Sequence, residues 1–176
     1  MNERSGTRVL MTTLVASLGL IGADSSISWG QHGHAGGHQA AQSCSEEFEK
    51  VIGEGRGFGM AFAADQNGYP GPMHVLELKD RLALTADQKA KTRALMHAMF
   101  AESKPKSVRL LDAEAKLRRL FADRAADDTA IRAAVAEVER ARGEVRLVHL
   151  LAHLKTRDLL TEDQRRIYHE ARWGAR

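Results

Sequence analysis

The chain is poor in several residue types that would point to other kinds of protein. It has a single cysteine in 176 residues, which excludes an internal disulfide framework and any cysteine-based zinc finger. Aromatics make up only 5%. No stretch alternates apolar and polar residues as a half-buried strand would. No paired acid and base, nucleophile motif or phosphate loop stands out, so an enzyme is not expected. Charge of one sign is also lacking: 26 Lys+Arg face 23 Asp+Glu, a formal net of +3. That is a weak field for nucleic acid.

The residues present are unevenly placed. Thirteen of the 15 glycines fall in residues 1–71, whereas residues 72–176 carry 22 Lys+Arg and 16 Asp+Glu. Residues 1–23 have the layout of an export signal. Arg4 and Arg8 precede the uncharged apolar run Val9 to Ala23, which is short for a spanning helix needing about 20 residues. Cleavage near Ala23 would release the chain into the periplasm, and an uncleaved segment would leave it membrane-anchored. Residues 24–45 lack apolar periodicity and read as a disordered arm bearing His32, His34 and His38. Such imidazoles on a flexible chain capture transition metals without selectivity. Cys44 is either a free thiol in this arm or pairs with Cys44 of a second copy.

From Ser45 onward the pattern is helical. Ser45 is the expected N-cap of a helix over 46–64. Gly53, Gly55, Gly57 and Gly59 superficially resemble a phosphate loop, but no strand precedes them and no Lys-Ser/Thr follows. They are read instead as small faces that let another backbone approach. Asn67 to Pro72 is a turn, with Pro72 at the first position of a short helix. Two boxes follow, Leu84-Thr85-Ala86-Asp87-Gln88 and Leu160-Thr161-Glu162-Asp163-Gln164, each a capping box opening a helix. The first helix is expected to end or kink at Pro105. The pattern resumes to Phe121, turns at 125–128, and continues as a long helix from about Thr129 to Asp158. A last helix spans Glu162 to Trp173. The expected fold is all-α: a long antiparallel hairpin with shorter helices packed at one end. Its core would be thin, which favours a homodimer.

Paired Leu-Thr-x-x-Gln boxes, one opening each half of a helical hairpin behind an export signal, make residues 46–173 resemble the Spy/CpxP superfamily. That group includes zinc-resistance proteins and nickel/cobalt sensors. The resemblance implies a bent, cradle-like, usually dimeric all-α protein of the periplasm, without catalytic activity. The stretch Leu147-Val148-His149-Leu150-Leu151-Ala152-His153 is similar to the sensors' Leu-Val-His-x-x-x-Met. His149 matches their His ligand, and His153 stands at the Met. Spaced i, i+4, the two imidazoles share one helix face. The sensors' remaining ligands point to His74 and to His97 or Met96, with Lys79 where a further His would stand. The implied site is His149, His153, His74 and His97, for divalent Ni, Co, Cu or Zn. The implied role is metal sensing or buffering, with a membrane signalling partner. The alternative is an ATP-independent chaperone that holds unfolded clients, using Met96, Met99 and nearby leucines as apolar contacts.

Overall fold

A computed structural model describes residues 35–174, with side chains from residue 43 onward. The export signal, His32 and His34 lie outside the described residues. Six helices occur in chain order, and among the described residues there is no strand: α1 (Ala35–Gly53), α2 (Phe62–Asp65), α3 (Pro72–Glu77), α4 (Ala86–Ala122), α5 (Asp128–Leu159) and α6 (Glu162–Trp173). None of them is long and apolar enough to cross a membrane.

Three expectations about this framework are corrected. The first helix begins at Ala35, so residues 35–45 are helix rather than arm, and Ser45 lies inside it rather than capping it. The run Gln39-Ala40-Ala41-Gln42 consists of good helix formers, which carry the helix upstream. Cys44 is exposed on α1.

The same helix stops at Gly53 instead of running to 64. Gly55 takes a left-handed φ of 79°. The Arg56 amide donates to Val51 O at 3.0 Å and the Gly55 amide to Ile52 O at 2.8 Å. These two bonds are a Schellman cap, which satisfies the last carbonyls and turns the chain away. Residues 54–61 are therefore a glycine-bearing loop, not a helix.

Third, of the end or kink expected at Pro105 the end does not occur, and α4 continues through it. A proline inside a helix forfeits one backbone bond. Here Ser103, Ser107 and Leu110, all 0% exposed, flank the position and keep both turns packed.

The hairpin is antiparallel. Arg109 pairs with Glu144 at 2.7 Å, Lys116 with Glu137 at 2.7 Å, and Arg142 with Glu114 at 2.6 Å. These mostly exposed pairs mark the register more than they stabilise it. Burial holds the hairpin together in three patches. Ile52 of α1 packs with Leu110, Ala113, Val138, Ala141 and Val145. Met99 meets Val148 and Ala152 nearer the open end. At that end Val75, Leu82, Leu84, Leu160 and Tyr168 join α3 and α6 to the hairpin. The apolar half of α5 is only partly covered: Val148 is 4% exposed, but Leu147, Leu151 and Leu154 are 56%, 45% and 39% exposed.

Both capping boxes form. Thr85 accepts from the Gln88 amide and Thr161 from the Gln164 amide, with each Gln side chain returning to its Thr amide. Asp127 caps α5, accepting from the Ala130 amide at 2.7 Å.

Candidate metal centre

The open end of the hairpin places two histidines under the glycine-bearing loop. His149 and His153 sit one turn apart on α5 and are 5% and 8% exposed. Backbone passes directly over each ring, that of the 54–61 loop over His149 and that of the turn before α3 over His153. A Cβ on Gly57 would fall 2.9 Å from His149 Cγ, and one on Gly71 would fall 2.8 Å from His153 Nε2. Close approach by another backbone was expected of Gly57; an imidazole approaches it instead.

Each ring is oriented by a neighbour. The Ser103 hydroxyl and His149 Nε2 share a hydrogen bond of 3.2 Å. His153 Nδ1 lies 2.7 Å from the Tyr69 carbonyl. A carbonyl only accepts, so Nδ1 carries the proton and Nε2, beside Gly71, keeps the lone pair.

Burial keeps both rings neutral. It pushes the His149 pKa down to about 4, helped by the nearby charge of His153 and opposed by a backbone hydrogen bond with Gly55. His153 is lowered mainly by burial, with the Tyr69 carbonyl and Asp65 working the other way. Neutral imidazole is the form that ligates metals.

A cavity of about 490 Å³ opens beside these rings, and His74 lines it too. His74 Nδ1 is 2.8 Å from Glu77 Oε2. Three of the four expected ligands thus border one space. His97 does not: it is exposed on α4 and away from the cavity. Met96 is also absent from the lining, whereas Met99, one turn further along, is part of it. Met99 is only 7% exposed, so it is not the surface contact the chaperone reading assumed. Lys79 lies beyond α3, 3.8 Å from Asp80.

Several cavity residues had no place in the sequence reading. Met60 and Met73 line it. Asp65, 5% exposed, also borders it, and both its oxygens are engaged. Tyr168 Oη donates to Oδ1 at 2.5 Å and Arg172 Nε to Oδ2 at 3.2 Å. Burial and then this carboxylate raise the Tyr168 pKa, so the phenol stays protonated. These contacts anchor α2 to α6 and close one wall. Among the described residues no three His, Cys, Asp or Glu side chains already converge as a metal-binding group.

The fold is an all-helical hairpin whose open end sets two buried, oriented imidazoles beside a small cavity. The family model for heavy-metal resistance matches residues 57–166, from the glycine-bearing loop into the first turns of α6. The chain belongs to this family, which is that of the Spy/CpxP-like periplasmic heavy-metal resistance proteins. The kinship read from the paired boxes therefore holds. No curated protein and no solved structure matches the chain.

Proposed function

We propose that the protein is a non-enzymatic, periplasmic metal-binding protein that takes a transition-metal ion beside His149 and His153 and so buffers or reports it. The observation that carries this reading is the Tyr69 carbonyl on His153 Nδ1, which leaves Nε2 as the donor one helical turn from a second neutral imidazole. Metal-ligating histidines are oriented by this kind of hydrogen bond. His74 would add a donor from α3, so an ion held there ties α3 to α5. Signalling follows only if two packings of these helices differ in affinity for the ion.

The test is a calorimetric titration of a His32→Ala/His34→Ala/His38→Ala background with Ni, Co, Cu and Zn, beside His149→Ala/His153→Ala. Micromolar or tighter binding that disappears in the second variant supports the reading. Absence of binding by every ion rejects it.

A second reading has an observation of its own. Phe58 and Phe62 are 44% and 51% exposed, and Leu147, Leu151 and Leu154 form an open stripe at i, i+4, i+7. Such surfaces hold unfolded clients or a second copy of the chain. Suppression of a client's aggregation without ATP, weakened by Leu147→Ser/Leu151→Ser, supports the chaperone role. Sedimentation of the same pair of proteins tests the homodimer.

A further inference from the structure

We propose that the cavity is selective for a soft monovalent d10 cation, Cu(I) or Ag(I), which it would hold with thioether sulfur as well as imidazole nitrogen. This rests on the metal-binding reading above and specifies the ion.

Met60, Met73 and Met99 reach the same cavity as His74, His149 and His153, and they come from three separate segments: the glycine-bearing loop, α3 and α4. The chain has six methionines, so half of them border one space of about 490 Å³. Thioether sulfur is a poor ligand for hard or borderline divalent ions and a good one for Cu(I).

The oxygen donors point the same way. Of the two carboxylates on the wall, Asp65 has both oxygens committed to Tyr168 and Arg172, and Glu47 is exposed at the rim. Arg56 and Arg172 stand on the same wall. Their guanidinium charges offset the two carboxylates, and a monovalent ion meets less repulsion from them than a divalent one. Among the described residues no three His, Cys, Asp or Glu side chains form a ready site. The three thioethers on the same wall would complete a ligand set that the imidazoles begin.

The experiment uses the full chain with His32→Ala, His34→Ala and His38→Ala to remove the tract, and with Cys44→Ser to remove the exposed thiol. Cu(I) is titrated anaerobically against a competing chelator, Ag(I) likewise, and Zn and Ni by calorimetry. The variant is Met60→Leu/Met73→Leu/Met99→Leu, a nearly volume-conserving change. The expected result is Cu(I) and Ag(I) binding at least about tenfold tighter than Zn or Ni, lost by about tenfold or more in the leucine variant while any Zn or Ni binding is unchanged. X-ray absorption of the unsubstituted-methionine protein loaded with Cu(I) should show sulfur in the first shell. That measurement decides the matter if the triple variant fails to fold. Only nitrogen or oxygen around copper, or Zn and Ni bound as tightly as Cu(I), overturns the selectivity and leaves the metal-binding reading standing. No binding of any of the four ions overturns this proposal, and overturns the metal-binding reading too when Co and Cu(II) also fail to bind in the calorimetric titration.

Discussion

Gln88 and Gln164 hold each other: Gln88 Nε2 donates to Gln164 Oε1 at 2.8 Å, and Gln164 Nε2 returns to Gln88 Oε1 at 3.1 Å. Each amide also reaches the other's approach segment, Gln88 to Leu159 O at 2.9 Å and Gln164 to Leu82 O at 3.1 Å. The two capping boxes, 76 residues apart, thus form one clasp at the open end of the hairpin. Replacing either Gln by Ala should cost about 1–3 kcal/mol, because its capping box is lost and its partner amide and the carbonyl it reaches each lose a hydrogen bond in a half-buried site. In a double-mutant cycle followed by urea unfolding, the pair should show a coupling of about 0.5–3 kcal/mol. Strictly additive losses would show that each box acts only as its own helix cap.

The glycines over the histidines make a second prediction. Gly71 has an ordinary φ of −79°, so Gly71→Ala adds no backbone strain, yet its methyl collides with the His153 ring. Gly57→Ala meets the His149 ring at its root, Cγ, where rotation gives no relief. Both changes should lower stability by about 1–3 kcal/mol and displace a candidate ligand. Gly143→Ala, on α5 with open space around it, should instead stabilise by about 0.5–1 kcal/mol. Thermal unfolding of the three variants checks the contrast.

Acid should loosen the metal-free protein through His149. Its ordinary pKa is 6.5 and its folded value about 4. As pH falls below 6.5 the unfolded chain takes up a proton that the folded chain refuses. Stability present above pH 6.5 is therefore lost progressively toward pH 4, by about 3 kcal/mol at most from this residue. His153 is shifted the same way and adds to the loss. Urea midpoints at pH 7 and pH 4 should move less in His149→Asn than in the parent; an equal movement would assign the acid sensitivity elsewhere.

Asp65 anchors the cavity wall. Asp65→Ala leaves the Tyr168 hydroxyl, in a residue 0% exposed, and the Arg172 guanidinium without their acceptor. The loss should be about 2–3 kcal/mol, tempered because the Arg172 side chain is 29% exposed. Tyr168→Phe should cost less, since Arg172 still pairs with the carboxylate. A larger loss from Tyr168→Phe than from Asp65→Ala would contradict this anchoring.

The end of α4 and the turn between α3 and α4 each use a left-handed residue other than glycine. Arg124 has φ 54° and Ala83 has φ 47°. Around Arg124, the Ala125 amide donates to Leu120 O at 2.9 Å, and the Arg124 amide to Phe121 O at 3.2 Å, the same cap that Gly55 makes. The conformation costs a non-glycine residue about 1–2 kcal/mol. Arg124→Gly and Ala83→Gly should each raise stability by about 0.5–1 kcal/mol once the looser unfolded chain is counted, measured as an upward shift in Tm.

Much of the fold was legible because its signals are local. Pro72 opens α3, the turn at 125–128 separates α4 from α5, and Glu162 to Trp173 is α6, as residue type and spacing implied. The first helix was less legible. Composition alone suggested an arm before residue 46, but Ala and Gln support helix there. The glycines after residue 52 were read as a helix face, and Gly55 ends the helix through a backbone angle that sequence does not display. At the site, the i, i+4 spacing placed His149 and His153 together. Met99 rather than Met96 or His97 borders the cavity, because the rotational register of α4 against α5 depends on packing.

What the sequence by itself determined is the set of local decisions: where helices start, which turns break them, and which residues share a helix face. These depend on neighbours within about one turn, so spacing and residue type suffice. Only the tertiary structure decided that the two boxes clasp through Gln88 and Gln164, that Gly57 and Gly71 cover two imidazoles, and that three methionines border the same cavity. Those relationships join residues up to 92 positions apart, as Gly57 and His149 are. Which distant surfaces meet is settled by how the helices pack, and no local pattern encodes it.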